Sequence, residues 1–212
     1  MENKKFILGL DISTSTIGVA LFEDLGDKGK LNLLHHVTPK IKPKPKKKVE
    51  EMFLKVRAFE EFLKKYVDYG ITTVIIEEPL LRSNNVNTVA TLLRYNGMIS
   101  NSVYNILGVV PEYISSYDAR KYAFPELMAI REYDKKGVKY PDNKIAKAKP
   151  VLFGGYAWDV DKKSILWEKV AEMEPQIVWL YNKNKVLSKE NFDMSDSYVT
   201  CISYMKMIGV WK

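Results

Sequence analysis

Residues 5–23 read KFILGLDISTSTIGVALFE. Two apolar runs, 5–12 and 16–23, are parted by the small polar turn Ser13-Thr14-Ser15, the pattern of a hairpin of two buried strands. Asp11 stands at the end of the first run, where burial makes a carboxylate expensive unless it is paired or bound to a cation. Outward from this hairpin, the turn Gly26-Asp27-Lys28-Gly29 leads into a third strand over 30–37. Residues 38–48, TPKIKPKPKKK, hold prolines at 39, 43 and 45 and can be neither strand nor helix interior. Val49, Met52, Phe53, Val56, Phe59, Leu63 and Tyr66 recur at helical spacing, which predicts a long helix stopped by Gly70. The segment 71–78, ITTVIIEE, is β-branched and nearly continuous, as a strand covered on both faces is, and Pro79 ends it. Residues 84–107 read as a helix, 109–114 as a strand, 118–150 as loops and short helices, and 161–174 and 193–208 as helices. The order β-β-β-α-β-α-β predicts an α/β fold, a mixed sheet of three antiparallel strands followed by parallel β-α units, with helices on both faces. No internal repeat is apparent. The chain reads as one domain, 1–212, with an insertion around 125–158.

Composition narrows the function classes. The 212 residues carry 33 Lys and Arg against 26 Asp and Glu, a formal charge of +7, which favours a polyanionic partner. Cys201 is the single cysteine and His35 and His36 the only histidines, so a disulfide framework, a cysteine zinc cluster and a multi-histidine metal site are excluded. A reducing compartment fits this usage. No stretch approaches the ~20 apolar residues of a membrane span. The first apolar run ends at Asp11, too short for a signal peptide. The expectation is a soluble cytoplasmic protein, bacterial or acting in a host cytoplasm if virus-encoded.

Carboxylates appear where folding alone would not put them. Asp11 ends the first strand, Glu77 and Glu78 end the most apolar one, and Asp193 and Asp196 lie at i, i+3 on one side of the last helix. Singly, each has an ordinary reading: Asp11 as a turn cap, Glu78 as a solvated strand end, Asp193 as a helix N-cap with Asp196 in the first turn. Together, three separate sources of carboxylate match a site for hard divalent cations such as Mg²⁺. Ser197, Thr200 and Ser203 continue the Asp193/Asp196 face with small side chains, so the helix can approach the sheet closely. Tyr198, Ile202 and Met205 form the large apolar stripe opposite. A site of carboxylates alone suits phosphodiester hydrolysis assisted by two metals.

LGLDIST with Asp11, VIIEE with Glu77 and DMSDS with Asp193 and Asp196, in this order of elements, resemble the RuvC-like Holliday junction resolvases of the RNase H-like superfamily. The segment 79–97 resembles the family's helix after the catalytic strand. The likeness covers 5–115 and 160–210 in outline and the middle poorly. It implies that Asp11, Glu77, Asp193 and Asp196 hold two Mg²⁺ or Mn²⁺ ions around a scissile phosphate, giving 5′-phosphate and 3′-hydroxyl ends. It also implies a branched or four-way DNA substrate and a homodimer, joined through the helix at 49–69 or at 84–107. Three features depart from the family: Glu78 beside Glu77, Ser197 in place of the usual alanine, and the insertion. Glu77 follows Val74-Ile75-Ile76 as the family's ligand does, and alternation sends Glu78, the alternative ligand, to the other face. Lys44, Lys46, Lys47 and Lys48 are candidate phosphate contacts, as are the lysines of 135–149. Arg82, Asn84 and Asn85, just past the glutamates, could touch the backbone near the break. Two rivals stand. One is another nuclease of the same fold, acting in repair, on RNA–DNA hybrids or in transposition. The other is an ATP-binding protein, since LGLDISTSTIGVALF also resembles the phosphate loop of actin-like ATPases and sugar kinases. Those enzymes need two such domains.

Overall fold

The computed structural model describes residues 4–79, 85–156 and 160–211. β1 (Lys5–Ile12) and β2 (Ile17–Asp24) make the predicted antiparallel hairpin. Ser13 holds its turn: the hydroxyl accepts the Thr16 N–H at 3.0 Å and donates to the Thr16 carbonyl at 2.8 Å. The turn therefore does not depend on Asp11 as its cap. β3 (Gly29–Val37) pairs antiparallel with β2. After α1 (Lys48–Leu63) and a 3₁₀ extension to Tyr69, Gly70 adopts φ 72° and turns the chain into β4 (Ile71–Glu77), parallel to β1. α2 (Val86–Leu107) leads to β5 (Glu112–Ile114), parallel to β4. The sheet order is β3-β2-β1-β4-β5, the mixed α/β sheet the pattern predicted. β5 starts later than 109 because Pro111 has no N–H to give to a ladder.

Strand alternation sorts the core into two layers. Phe6, Leu8, Leu10, Ile12, Ile17, Val19, Leu21, Val74 and Ile76 face α1 and α2. Ile7, Ala20, Phe22 and Ile75 face the other way, toward α3 (Ser116–Ala123), α5 (Lys162–Met173) and α6 (Glu190–Met207). Between α3 and α5 lie a two-stranded sheet of β6 (Met128–Ala129) and β7 (Val151–Leu152) and the single turn α4 (Asp142–Ile145). α6 lies on the sheet and is roofed by α3 and α5, so it is buried all round: Ser197, Thr200 and Ser203 are as inaccessible as Tyr198, Ile202 and Met205. Cys201 is core.

Two sequence expectations shift. α6 begins at Glu190, so Asp193 lies inside the first turn and is not the N-cap. In α1 Val56, Phe59 and Leu63 are buried against the sheet, with Met52 and Phe62 packed partly buried beside them. Val49 and Phe53 are 51% and 56% exposed, because the first turns of α1 overhang beside Arg94 and Met98 of α2.

Candidate active site

The register of three strands builds one end of the site. β1 and β4 are parallel with Leu10 opposite Ile76, so Asp11, one residue short of the end of β1, and Glu77, the last of β4, come side by side on neighbouring strands. Leu10 and Ile76 point into the α1/α2 layer, and alternation turns Asp11 and Glu77 toward α6. Glu78 lies past the strand end and is exposed, its N–H given to the Ile114 carbonyl at 2.8 Å.

α6 reaches the same place because two glycines let it. Asp11 pairs with Gly18 and Gly9 with Ala20. A Cβ on Gly18 would run into the Asp193 carbonyl and stand 3.0 Å from the Met194 nitrogen; one on Gly9 would stand 2.5 Å from the Ser197 oxygen and 2.9 Å from the Cys201 Cβ. The backbone of α6 thus rests on glycine at β1 and β2, and the first turn of the helix hangs over the residue paired with Asp11. The start of α6 is fixed by Asn191, fully buried, whose carboxamide accepts the Leu180 N–H at 3.0 Å and donates to the Leu180 carbonyl at 2.7 Å.

Asp11, Glu77, Asp193 and Asp196 are thereby brought within one another's fields. Each carboxyl is pushed up from its ordinary value, first by loss of water: Asp11 well upward, Asp196 upward, Glu77 to about 8 and Asp193 to about 6. Repulsion from Asp196 adds to the shift at Asp11, Glu77 and Asp193. Two cations oppose it. Lys163, in the first turn of α5, bears on all four acids, and Arg120, on α3, bears on Glu77 and Asp196. Neither cation was singled out from the sequence, nor were Gly9, Gly18 and Asn191. Among the described residues, no three acidic, histidine or cysteine side chains already close on a common point as a finished metal cage would. The donor set still fits a hard cation. It is all oxygen, it comes from three elements, and carboxyls whose charged forms are this costly in a desolvated place gain most from a cation that neutralises them.

The remaining sequence candidates divide. Lys44, Lys46 and Lys47 are exposed on a loop that leaves β3 at the same end of the sheet, since Ile12 pairs with Ile17 and Ile17 with Val37, and Lys48, also exposed, opens α1 where that loop ends. Thr38, at the root of that loop, donates to the Thr16 hydroxyl at 3.2 Å. Asn85 caps α2, its side-chain oxygen accepting the Thr88 N–H at 3.2 Å. Arg82 and Asn84 lie outside the described residues.

The fold can be compared with solved structures. Thermus thermophilus RuvC superposes with a TM-score of 0.53 over 96% of this chain and 97% of its own, at 14% identity. This is the RuvC-like fold. The same protein in complex with a Holliday junction substrate gives 0.55 over 96% of each chain at 13% identity. The yeast mitochondrial Holliday junction resolvase Ydc2 gives 0.54 over 94% of this chain and 77% of its own at 12% identity. No family model matches the sequence, and no curated protein matches it closely enough to count.

The site separates the doubled glutamates. Glu77→Gln is expected to cut the site's activity by at least roughly a hundredfold, and Glu78→Gln by less than about threefold. Rates measured side by side on one substrate decide this, and the reverse ranking would move the ligand to Glu78.

Proposed function

We propose that this chain is a metal-dependent endonuclease that cuts branched DNA, a Holliday junction resolvase working in the cytoplasm. The observation that carries the reading is that Asp11, Glu77, Asp193 and Asp196 lie within one another's electrostatic reach on the α6 side of the sheet in a RuvC-like fold. These four would hold Mg²⁺ or Mn²⁺, in the family's manner two ions, which when bound lower the pKa of the attacking water and stabilise the leaving 3′ oxygen. The chain's own cations do the rest. Lys163 and Arg120, whose charges bear on the acids, would hold the non-bridging oxygens of the phosphate, offsetting charge that the carboxylates alone would repel. Lys44, Lys46 and Lys47, on the loop at the same sheet end, and Lys48, where that loop ends, supply sequence-independent backbone contacts. The products carry 5′-phosphate and 3′-hydroxyl ends.

A four-way junction needs two symmetric nicks, so the reading includes a two-fold dimer. The overhanging face of α1 and α2 supports it, with Val49, Phe53 and Leu93 51%, 56% and 42% exposed. The test is a cleavage panel of four-way junction, flap, duplex and RNA–DNA hybrid with Mg²⁺, Mn²⁺ or EDTA, beside sedimentation with and without junction. Paired cuts in the junction, lost in EDTA, are expected from a dimer. Preference for the hybrid, or a monomer that stays monomeric on the junction, would transfer the reading to a single-nick nuclease of the same fold. Cleavage in EDTA would overturn it.

A further inference from the structure

Two stretches of the chain 48 residues apart, both outside the main sheet, fold into the same object. Residues 132–140 read EYDKKGVKY and 180–188 read LYNKNKVLS. The Asp134 N–H donates to the Val138 carbonyl at 2.8 Å, and the Asn182 N–H to the Val186 carbonyl at 2.9 Å. Gly137 donates to the Asp134 carbonyl at 3.1 Å, and Lys185 to that of Asn182 at 3.0 Å. Tyr140 closes on Glu132 at 2.8 Å, and Ser188 on Leu180 at 2.9 Å. The side chains of Asp134 and Asn182 each accept two backbone N–H groups of their own turn, from Lys136 and Val138 in one and from Asn184 and Val186 in the other. Even exposure repeats: Tyr133 and Val138 are 53% and 60% exposed, Tyr181 and Val186 57% and 58%. The chain thus holds a repeat that its sequence did not reveal.

Both hairpins are tied to the acid site. The second runs straight into α6, and its Leu180 is the residue clamped by Asn191 two positions before Asp193. The first springs from Arg131, whose guanidinium stacks 3.7 Å from the Tyr156 ring centroid and donates to the Gly154 carbonyl at 3.2 Å and to that of Gly155. Gly155 in turn abuts Val160, which leads into the cap of α5 and so to Lys163.

Resting on the nuclease reading, we propose that the two hairpins are a matched pair of DNA prongs that grip the sugar–phosphate backbone beside the scissile phosphate. The charge fits a polyanion. Lys135, Lys136 and Lys139 ride on the first against Glu132 and Asp134, and the aspartate is engaged by backbone N–H groups. Lys183, Lys185 and Lys189 ride on or next to the second, and 180–189 contains no acid. Lys185 sits at φ 59° where the first hairpin has Gly137 at φ 78°. Glycine is the unstrained choice at that position, so the second hairpin bears a strained backbone and a charge at its tip together. An exposed tyrosine and valine on so small a hairpin find no core of their own and suit sugar and base edges.

The test is DNA binding by the full chain in EDTA, on a four-way junction across a salt series. Lys183→Ala with Lys185→Gly blunts the second prong, and Lys136→Ala with Lys139→Ala the first. Lys185→Gly relieves the strained φ, so the melting temperature should hold. Each pair is expected to weaken binding roughly tenfold or more at 0.1 M salt and to flatten the slope of log affinity against log salt by about 0.9 for each phosphate no longer neutralised. Equal slopes for a blunted chain and the parent would overturn the prongs while leaving the nuclease intact. A loss seen on duplex RNA and not on DNA would overturn the assignment to DNA. A parent chain that binds no DNA form would overturn both readings.

Discussion

Asp11→Asn should abolish cleavage and yet raise the melting temperature of the metal-free protein at pH 8. The two effects have one cause. Asp11 is desolvated and feels Asp196, Glu77 and Asp193, so its charged form is costly in the folded chain unless a cation joins it. An amide of the same shape removes that repulsion and removes a ligand with it. The catalytic loss should be about 4 kcal/mol or more, roughly a thousandfold in rate. The gain in stability should be on the order of 1–2 kcal/mol, about 2–8 °C for a chain of this length.

The sign follows from proton linkage. Asp11, Glu77, Asp193 and Asp196 all have folded values above their unfolded ones, Glu77 rising from 4.5 to about 8 and Asp193 from 3.8 to about 6. Between those limits the folded chain holds protons that the unfolded chain has released, so the site's contribution to stability declines as pH rises from about 4 to about 8. Melting curves of the EDTA-treated protein should show that decline, shallower in Asp11→Asn, and Mg²⁺ or Mn²⁺ should reverse it in the parent by favouring the folded state. A variant that cleaves normally, or a parent whose stability climbs steadily from pH 5 to pH 8, would be incompatible with a shared acidic site. DNA binding should survive the substitution, because the lysines are untouched.

What the sequence disclosed and what it hid have physical reasons. β1, β2 and β4 announce themselves because burial on both faces demands continuous apolar runs, and Asp11 and Glu77 stand out against those runs. α6 was legible as a helix but not as a helix buried all round. Ser197, Thr200 and Ser203 look like a polar face, yet each hydroxyl donates to a carbonyl of its own helix, Met194, Asp196 and Thr200 respectively, and so tolerates burial. Lys163 and Arg120 carry no local signal at all, since only the packing of α5 and α3 on α6 brings their charges to bear on the acids. The twin hairpins share Tyr, Asx, Lys and Val at matching positions but little else. Their likeness lies in backbone hydrogen bonds that different residues can make equally well.

Gly18→Ala should cost nearly as much activity as the loss of a ligand, although the methyl group it adds touches no substrate. The position is a β-strand interior, where alanine is no worse a strand former than glycine, so propensity predicts no harm. Packing predicts otherwise. The new Cβ would collide with the backbone carbonyl of Asp193, not with a side chain that can swing away. That carbonyl belongs to the first turn of α6, roofed by α3 and α5 and clamped through Asn191 to Leu180, so the helix start must lift as a unit. Overpacking of this kind costs about 1–3 kcal/mol, some 2–12 °C here. A shift of about 1 Å at Asp193 and Asp196 relative to Asp11 and Glu77 is worth roughly a hundredfold in rate. Gly97→Ala is the control, since a Cβ there meets nothing within 4 Å and sits inside α2, where it should be neutral or stabilise by about 0.5–1 kcal/mol. If Gly18→Ala melts and cleaves like the parent, the close seat of α6 on glycine is not what assembles the acids. If it folds, binds DNA and fails to cut, the distance between sheet and helix is itself part of the catalytic apparatus, set by a residue with no side chain.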